Sequence, residues 1–240
     1  MKKGWDQLFP PPPSCRLCST PVSPGLGSGI WDRICFSCRK GLPLIAPPYC
    51  RRCSRPLGER KEEDLCSGCR RSPPDPLDMN RSVLRYTAFP KELIRLYKYR
   101  GRERLAPTIA ELMAEVLLRQ GWRGDVITFV PIHPDRLRER GFNQAERLAK
   151  GIARLVRLPL RPVLERIRPT SPQSLRSRRE RLVALRGAFR LAPPPRRIRL
   201  SNRTVIIVDD VYTTGATMVE CARVLKEGGA KGVLSLTFAR

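Results

Sequence analysis

No run of apolar residues in this sequence approaches the roughly 20 positions that a membrane-spanning helix needs. The opening Met1-Lys2-Lys3 leads through Gly4, Trp5, Asp6 and Gln7 to a run of four prolines, where a signal peptide would place its apolar core. The expectation is a cytoplasmic protein. Two phosphate-binding signatures are also missing. No Gly-x-x-x-x-Gly-Lys-Ser/Thr follows an apolar run and no Gly-x-Gly-x-x-Gly opens a helical one, so a nucleotide loop or a dinucleotide site has no residues to carry it. Aromatic side chains are 6% of the chain, few for a platform on which bases stack. Acids are scarce as well: 22 stand against 47 basic residues, for a formal charge of +25. The excess is uneven, with thirteen Lys and Arg against two acids in residues 161–203 and four of each in residues 204–240. Such a run is either a solvated, arginine-rich surface or a field that attracts a polyanion.

What is present divides the chain in two. Residues 1–80 hold eight of the nine cysteines, and residues 81–240 show helical and strand patterns separated by short turns. The eight fall into four Cys-x-x-Cys knuckles: Cys15 with Cys18, Cys35 with Cys38, Cys50 with Cys53, and Cys66 with Cys69. Two intervening residues let both thiolates reach one tetrahedral metal from a tight turn, and a second knuckle 16 or 12 residues on closes a Cys₄ site. Two structural zinc ions held by two ribbons in series are the expectation, and their ionised ligands would lower the charge to about +21. Disulfides and an iron–sulfur cluster use the same residues, and a crossed pairing of the knuckles stays open. A front module that folds on its metals predicts that losing Cys66 leaves residues 83–240 folded. Cys221 stands apart, as a small buried hydrophobe would.

The most specific segment is 205–217. Val205, Ile206, Ile207 and Val208 make a continuous apolar run, as in a central parallel strand covered on both faces. Asp209 and Asp210 follow, too near the loop to belong to the core. Val211 and Tyr212 then lead into Thr213, Thr214, Gly215, Ala216 and Thr217, ahead of a helix over 218–227. The Thr/Gly turn can offer N–H groups and hydroxyls to a phosphate at the positive end of the helix dipole. Paired carboxylates suit the 2′ and 3′ hydroxyls of a ribose. A second strand, 126–130, ends in residues 131–141, a loop whose Arg136, Arg138 and Arg140 could cradle pyrophosphate. It is flanked by amphipathic helices at 104–120 and 143–156. His133, between two prolines, is either a turn residue or a proton-transfer group.

The run of four apolar residues, two acids, two further positions and Thr-Thr-Gly-x-Thr resembles the motif of type I phosphoribosyltransferases that binds 5-phosphoribosyl 1-pyrophosphate (PRPP). Residues 130–134 with 140–145, and 170–175 leading to Arg181, Ala188 and Phe189, resemble stretches of the ComF (competence protein F) family. Together with the cysteine module, the resemblance covers nearly the whole chain. It implies an α/β fold: a parallel sheet with flanking helices over residues 81–240, preceded by a double zinc ribbon over residues 1–80. It implies a lid over 168–189, with Gln173, Arg176, Arg178, Arg179 and Arg181 facing the pyrophosphate, and a site feature at Lys98 whose role is open. The activity implied is displacement of pyrophosphate from Mg²⁺-bound PRPP by a nitrogen nucleophile, with Asp209 and Asp210 on the ribose. It also implies a link to natural competence, with single-stranded DNA and other competence proteins as partners. The alternative it allows is a non-catalytic DNA-binding protein that responds to PRPP.

Overall fold

The computed structural model describes residues 13–23, 27, 29–58, 64–73, 76–99, 102–169, 178–196 and 198–240. The chain forms two compact units, Met1–Pro43 and Leu44–Arg240. The smaller holds the first two knuckles. Ser14 bridges Pro21, and the turn between them carries Cys15 and Cys18; a 3₁₀ turn, Ile30–Arg33, and α1, Phe36–Gly41, present Cys35 and Cys38.

The larger unit repeats this device. Tyr49 bridges Pro56 around Cys50 and Cys53, and α2, Ser67–Arg70, begins at Cys66. The knuckles match in detail: Ser19 and Ser54, each just after Cys-x-x-Cys, lie in the left-handed region at φ 69° and 61°, and Cys15 and Cys50 each receive an N–H bond from that serine. The unit continues with β1 (Met79–Leu84), α3 (Ala88–Tyr99), α4 (Ala106–Arg119), β2 (Val126–Phe129), α5 (Pro134–Arg140), α6 (Gln144–Val156), β3 (Leu164–Arg166), α7 (Arg178–Leu185), β4 (Phe189–Leu191), β5 (Thr204–Val211), α8 (Ala216–Glu227) and β6 (Gly232–Ala239). Four strands form a parallel sheet in the order β1-β6-β5-β2, and β3 and β4 form a separate antiparallel pair. This is the parallel sheet with flanking helices that the motifs imply. β5 lies inside it, and its Val205, Ile206, Ile207 and Val208 are fully buried, as β-branched residues covered on both faces should be.

β1 is apolar only toward its ends, at Met79, Val83 and Leu84. Its Asn80, Arg81 and Ser82 are buried, and each is bonded. Asn80 faces Ser235 and Ser82 faces Thr237 in register across β6. Ser235 Oγ donates to Asn80 Oδ1 at 2.8 Å, and Ser82 and Thr237 share a 2.7 Å hydroxyl contact. The outer edge of β1 is covered by the third knuckle: Asn80 N–H donates to the Arg52 carbonyl at 2.8 Å, Ser54 Oγ to the Asn80 carbonyl at 2.9 Å, and Arg81 to the Arg51 carbonyl at 2.8 Å. The second ribbon thereby satisfies an otherwise open sheet edge. Cys50, Cys53, Cys66 and Cys69 share one buried cluster with Val205, Ile207, Tyr212 and Cys221.

By contact the chain therefore divides after Pro43, whereas the sequence motifs place the change near residue 80. The reason is that the second cysteine cluster has no separate core and completes that of the sheet. This reverses the expectation for Cys66. Cys66→Ser should destabilise the whole of residues 44–240 by several kcal/mol, since site formation contributes directly to folding free energy. Hydrogen exchange should show protection lost in β1 and β6, whereas Cys18→Ser should leave both protected.

Candidate functional site

The site grows from the end of β5. Both acids belong to the strand and are buried, Asp209 at 9% exposure and Asp210 at 4%, against the expectation that they lie outside the core. The strand runs on to Val211, so helices still cover them. Successive strand residues point to opposite faces. Asp210 pairs with the ammonium of Lys98 from α3, and Asp209 lies within electrostatic reach of Cys221 on α8 and Arg166 on β3. Burial and the neighbouring Asp210 hold the Asp209 carboxyl well above the ordinary carboxylate range, with Lys98 opposing them. Burial disfavours charge on Lys98 too, but Asp210 outweighs it and keeps the ammonium above its usual value. Cys221 is fully buried, in the manner of a small apolar residue.

Lys98 is held in place by its neighbour. Tyr97 is wholly buried; its hydroxyl donates to the Gln144 carbonyl at 2.9 Å, and its ring meets Phe142 at 5.6 Å. Gln144 opens α6, whose N-cap Asn143 accepts from Ala145 N–H at 2.9 Å and donates to the Val130 carbonyl at 3.1 Å. The end of β2, the start of α6 and Lys98 are thus one bonded assembly.

Past β5 the chain turns through residues 212–215. Gly215 is the N-cap of α8 with φ 83°, and a Cβ there would lie 2.2 Å from the Tyr212 hydroxyl. Only glycine meets both conditions. Tyr212 is buried beneath the turn. Thr214 Oγ1 accepts from Ala216 N–H at 3.5 Å, and Thr217 lies in the first turn of α8, so residues 213–217 wrap a helix N-terminus.

Residues 131–141, expected as a loop, are mostly the helix α5. Pro134 sits in its first turn, His133 caps it by accepting from Asp135 N–H through Nδ1 at 3.4 Å, and Gly141 ends it at φ 79°. His133 therefore has a structural task. A cavity of about 540 Å³ opens beside α5, and its walls bring four cations, Lys98, Arg136, Arg140 and Arg166, together with two acids, Asp135 and Glu139. Arg136 bonds Glu139 at 3.0 Å and Arg140 bonds Gln144 at 2.5 Å. Arg138 pairs with Asp135 and is not part of this wall. Residues 213–217 do not line the cavity either; Lys98, on Asp210, joins the two regions. Arg166 was not foreseen. It sits on a three-residue strand inside an arginine-rich stretch, where nothing in the spacing distinguishes it.

The expected lid is only partly loop. Gln173 and Arg176 lie outside the described residues, while Arg178, Arg179 and Arg181 belong to α7, their side chains outside the description. That helix is anchored through buried Leu185, and Gly187 N–H donates to Glu220 on α8 at 2.6 Å.

The cysteines form two groups, Cys15, Cys18, Cys35, Cys38 and Cys50, Cys53, Cys66, Cys69, with ligand atoms in each within 4.8 Å of one another. The pairing is serial, not crossed. A tetrahedron with Zn–S of about 2.3 Å separates its sulfurs by about 3.8 Å. Cys18 to Cys35 and Cys53 to Cys66 are both 3.7 Å, so the donor sets fit structural zinc.

Comparison with known proteins finds both domain types in the chain. Residues 142–240 match the phosphoribosyl transferase domain model, and residues 4–70 the double zinc ribbon domain model. The DNA utilization protein YhgH of Salmonella typhi is 32% identical over 228 residues, covering 92% of this chain and 94% of its own. Competence protein ComFC of Bacillus subtilis is 30% identical over 214 residues, covering 87% and 85%. Competence protein F of Haemophilus influenzae is 28% identical, covering 86% and 90%. With nine-tenths of its length aligned and both domain types in the same order, the chain belongs to the ComF (competence protein F) family.

Proposed function

We propose that the protein binds Mg²⁺–PRPP at the end of β5 and transfers its phosphoribosyl group, releasing pyrophosphate, as part of the handling of DNA in competence. One observation carries the reading. A strand ending in two buried acids enters a glycine-capped helix N-terminus, and the lysine paired with one acid lines a cationic cavity. The 5′-phosphate is assigned to residues 213–217, the ribose hydroxyls to Asp209 and Asp210, and the pyrophosphate to Lys98, Arg136, Arg140 and Arg166.

In the reaction the C1–O bond to pyrophosphate breaks as a C1–N bond forms. The bonding pair leaves with pyrophosphate, and the nitrogen gives up a proton. Charge grows on the leaving oxygen, and cations already arranged around it stabilise that charge without reorganising. Mg²⁺, which arrives with PRPP, supplies further neutralisation of the pyrophosphate. Lys98 has two uses: it compensates Asp210 before the sugar arrives, and its cavity-facing position suits it to the pyrophosphate afterwards. A cytoplasmic setting fits this chemistry and the reduced thiols.

The second reading is a PRPP-responsive protein that binds single-stranded DNA without transfer. The charge of +25 favours it, as does the printed name of the relative from Salmonella typhi, a DNA utilization protein. Screening bases for PRPP-dependent pyrophosphate release separates the two. Release with some acceptor, reduced about 100-fold in Arg166→Gln, supports transfer. If no base reacts while DNA binds with a salt slope that falls in the same variant, the transferase is excluded.

Asp209→Ala with Asp210→Ala should abolish calorimetric binding of PRPP in the presence of Mg²⁺. Undiminished binding would move the sugar elsewhere. Lys98→Met should weaken inorganic pyrophosphate binding at least tenfold, as loss of a charge-assisted contact requires.

Asp209 also makes a pH prediction. Its pKa is raised in the folded state, so the stability it contributes is present at low pH and is lost as pH rises through the folded pKa. Asp209→Asn should therefore melt higher than the wild type, with the gap widening over that range. Each kcal/mol corresponds to roughly 2–4 °C for a chain of this size. Equal melting at all pH values would show that the carboxyl carries no such penalty.

A further inference from the structure

Arg166 reaches the cavity wall from β3, which belongs to the separate two-stranded sheet and not to the parallel one. A guanidinium on so short an element is only as fixed as the anchor of that pair. Within the pair, Arg166 lies opposite Phe189 in register, its guanidinium sits 5.5 Å from the centroid of the Phe189 ring, and Ile167 N–H donates to the Ala188 carbonyl at 2.9 Å. Ala188 and Phe189 are buried. Just before them the chain turns at Gly187, with φ 69°, and the Gly187 N–H donates to Glu220 Oε1 on α8 at 2.6 Å.

Glu220 is 6% exposed, a costly place for a carboxylate whose only task is to fill space. Its two oxygens are both engaged. Arg223 Nε donates to Oε2 at 3.0 Å and Arg223 Nη2 to Oε1 at 2.7 Å, a forked contact that fixes the plane of the carboxylate and turns Oε1 to the Gly187 amide as well. Arg223 is itself held by Glu227, through Nη1 at 2.6 Å from Oε2. The position on the helix matters too. Glu220 follows Ala216, the first residue of α8, by four positions, so it lies about one turn, or roughly 6 Å, along the helix that residues 213–217 open.

We infer that Glu220 is a positioning residue for Arg166: it ties the β3–β4 pair to α8 and so holds Arg166 at a set distance from residues 213–217. It acts through Arg166, since Glu220 itself does not line the cavity. The inference rests on the reading of that turn and that cavity as the two phosphate regions of a PRPP site. One helix would then place both anchor points.

Two mild variants of the full chain separate the link from the charge. Glu220→Asp keeps a carboxylate for Arg223 but draws it back one methylene from Gly187, whereas Glu220→Gln keeps the reach and gives up the charge. Calorimetry with inorganic pyrophosphate, ribose 5-phosphate and Mg²⁺–PRPP reads the result. Glu220→Asp should weaken pyrophosphate and PRPP roughly tenfold, by displacing a cation that makes charge-assisted contacts, while ribose 5-phosphate binds as in the wild type. Glu220→Gln should bind all three as the wild type does. In the Arg166→Gln background, Glu220→Asp should cost PRPP nothing further, because the residue it acts through is already gone.

Pyrophosphate bound equally by the wild type and Glu220→Asp overturns the inference. An equal loss of ribose 5-phosphate does so as well, since it marks a general loosening of α8, and so does a full additive loss in the Arg166→Gln background. A wild type that binds neither pyrophosphate nor PRPP sinks the site reading itself and this inference with it, and the wild-type titrations alone identify that case.

Discussion

Two adjacent carboxylates at the buried end of β5 set the terms for the rest of the larger unit. A core tolerates such a pair only if each charge is separated, paired or neutralised. Strand geometry separates them onto opposite faces. Lys98 compensates Asp210, and Asp209 keeps its proton to an unusually high pH. Each remedy constrains another element. Lys98 reaches Asp210 only because Tyr97 is locked onto Gln144 and Phe142 at the start of α6, and that start is bonded to Val130 at the end of β2. Under the proposed function, the hydroxyls of a sugar would give these buried carboxylates directed donors.

The cysteines solve a different problem. A parallel sheet leaves two open edges, and β1, with Asn80, Arg81 and Ser82 ahead of Val83 and Leu84, is apolar over only part of its length. The third knuckle closes that edge through the Arg52 carbonyl and the Ser54 hydroxyl, and polar side chains in register close the inner side. A ribbon turn is suited to this because the metal fixes its carbonyls and N–H groups without demanding bulky side chains. The two ribbons share a local design, including the left-handed serine, but differ in what depends on them: the second has become part of the sheet's own core.

Much of this was legible in the sequence and some was not, for physical reasons. The metal ligands and β5 were readable because each depends on local chemistry: Cys-x-x-Cys reaches a metal from one turn, and four β-branched or apolar residues ahead of two acids have few other uses. β1 was missed because its burial is polar and its partners lie more than 150 residues away, as in Ser82 with Thr237. Residues 131–141 resemble a polar loop because of their arginines, although Pro134 and Gly141 are the ordinary start and stop signals of a short helix. Arg166 could not be singled out among the arginines of its stretch. Its distinction is burial beside Asp209, which arises only when β3 pairs with β4.

The basic surplus acquires meaning from where acids are spent. Glu165 takes Arg190 and Arg196, Glu227 takes Arg223, and Glu103 takes Arg147, pairs at or near the surface and individually worth little to stability, while buried Glu220 also takes Arg223. The cavity beside α5 spends two acids against four cations, and both acids lie on α5 itself. Lys98 and Arg166 enter from other elements, each close to a buried acid of β5. Electrostatic preorganisation of this kind costs stability in the free protein and is repaid only by a ligand with several negative charges. A single phosphate would satisfy the helix N-terminus and leave the cavity cationic. The proposed ligand, with phosphate at one end and pyrophosphate at the other, would meet both regions, which Lys98 joins through Asp210.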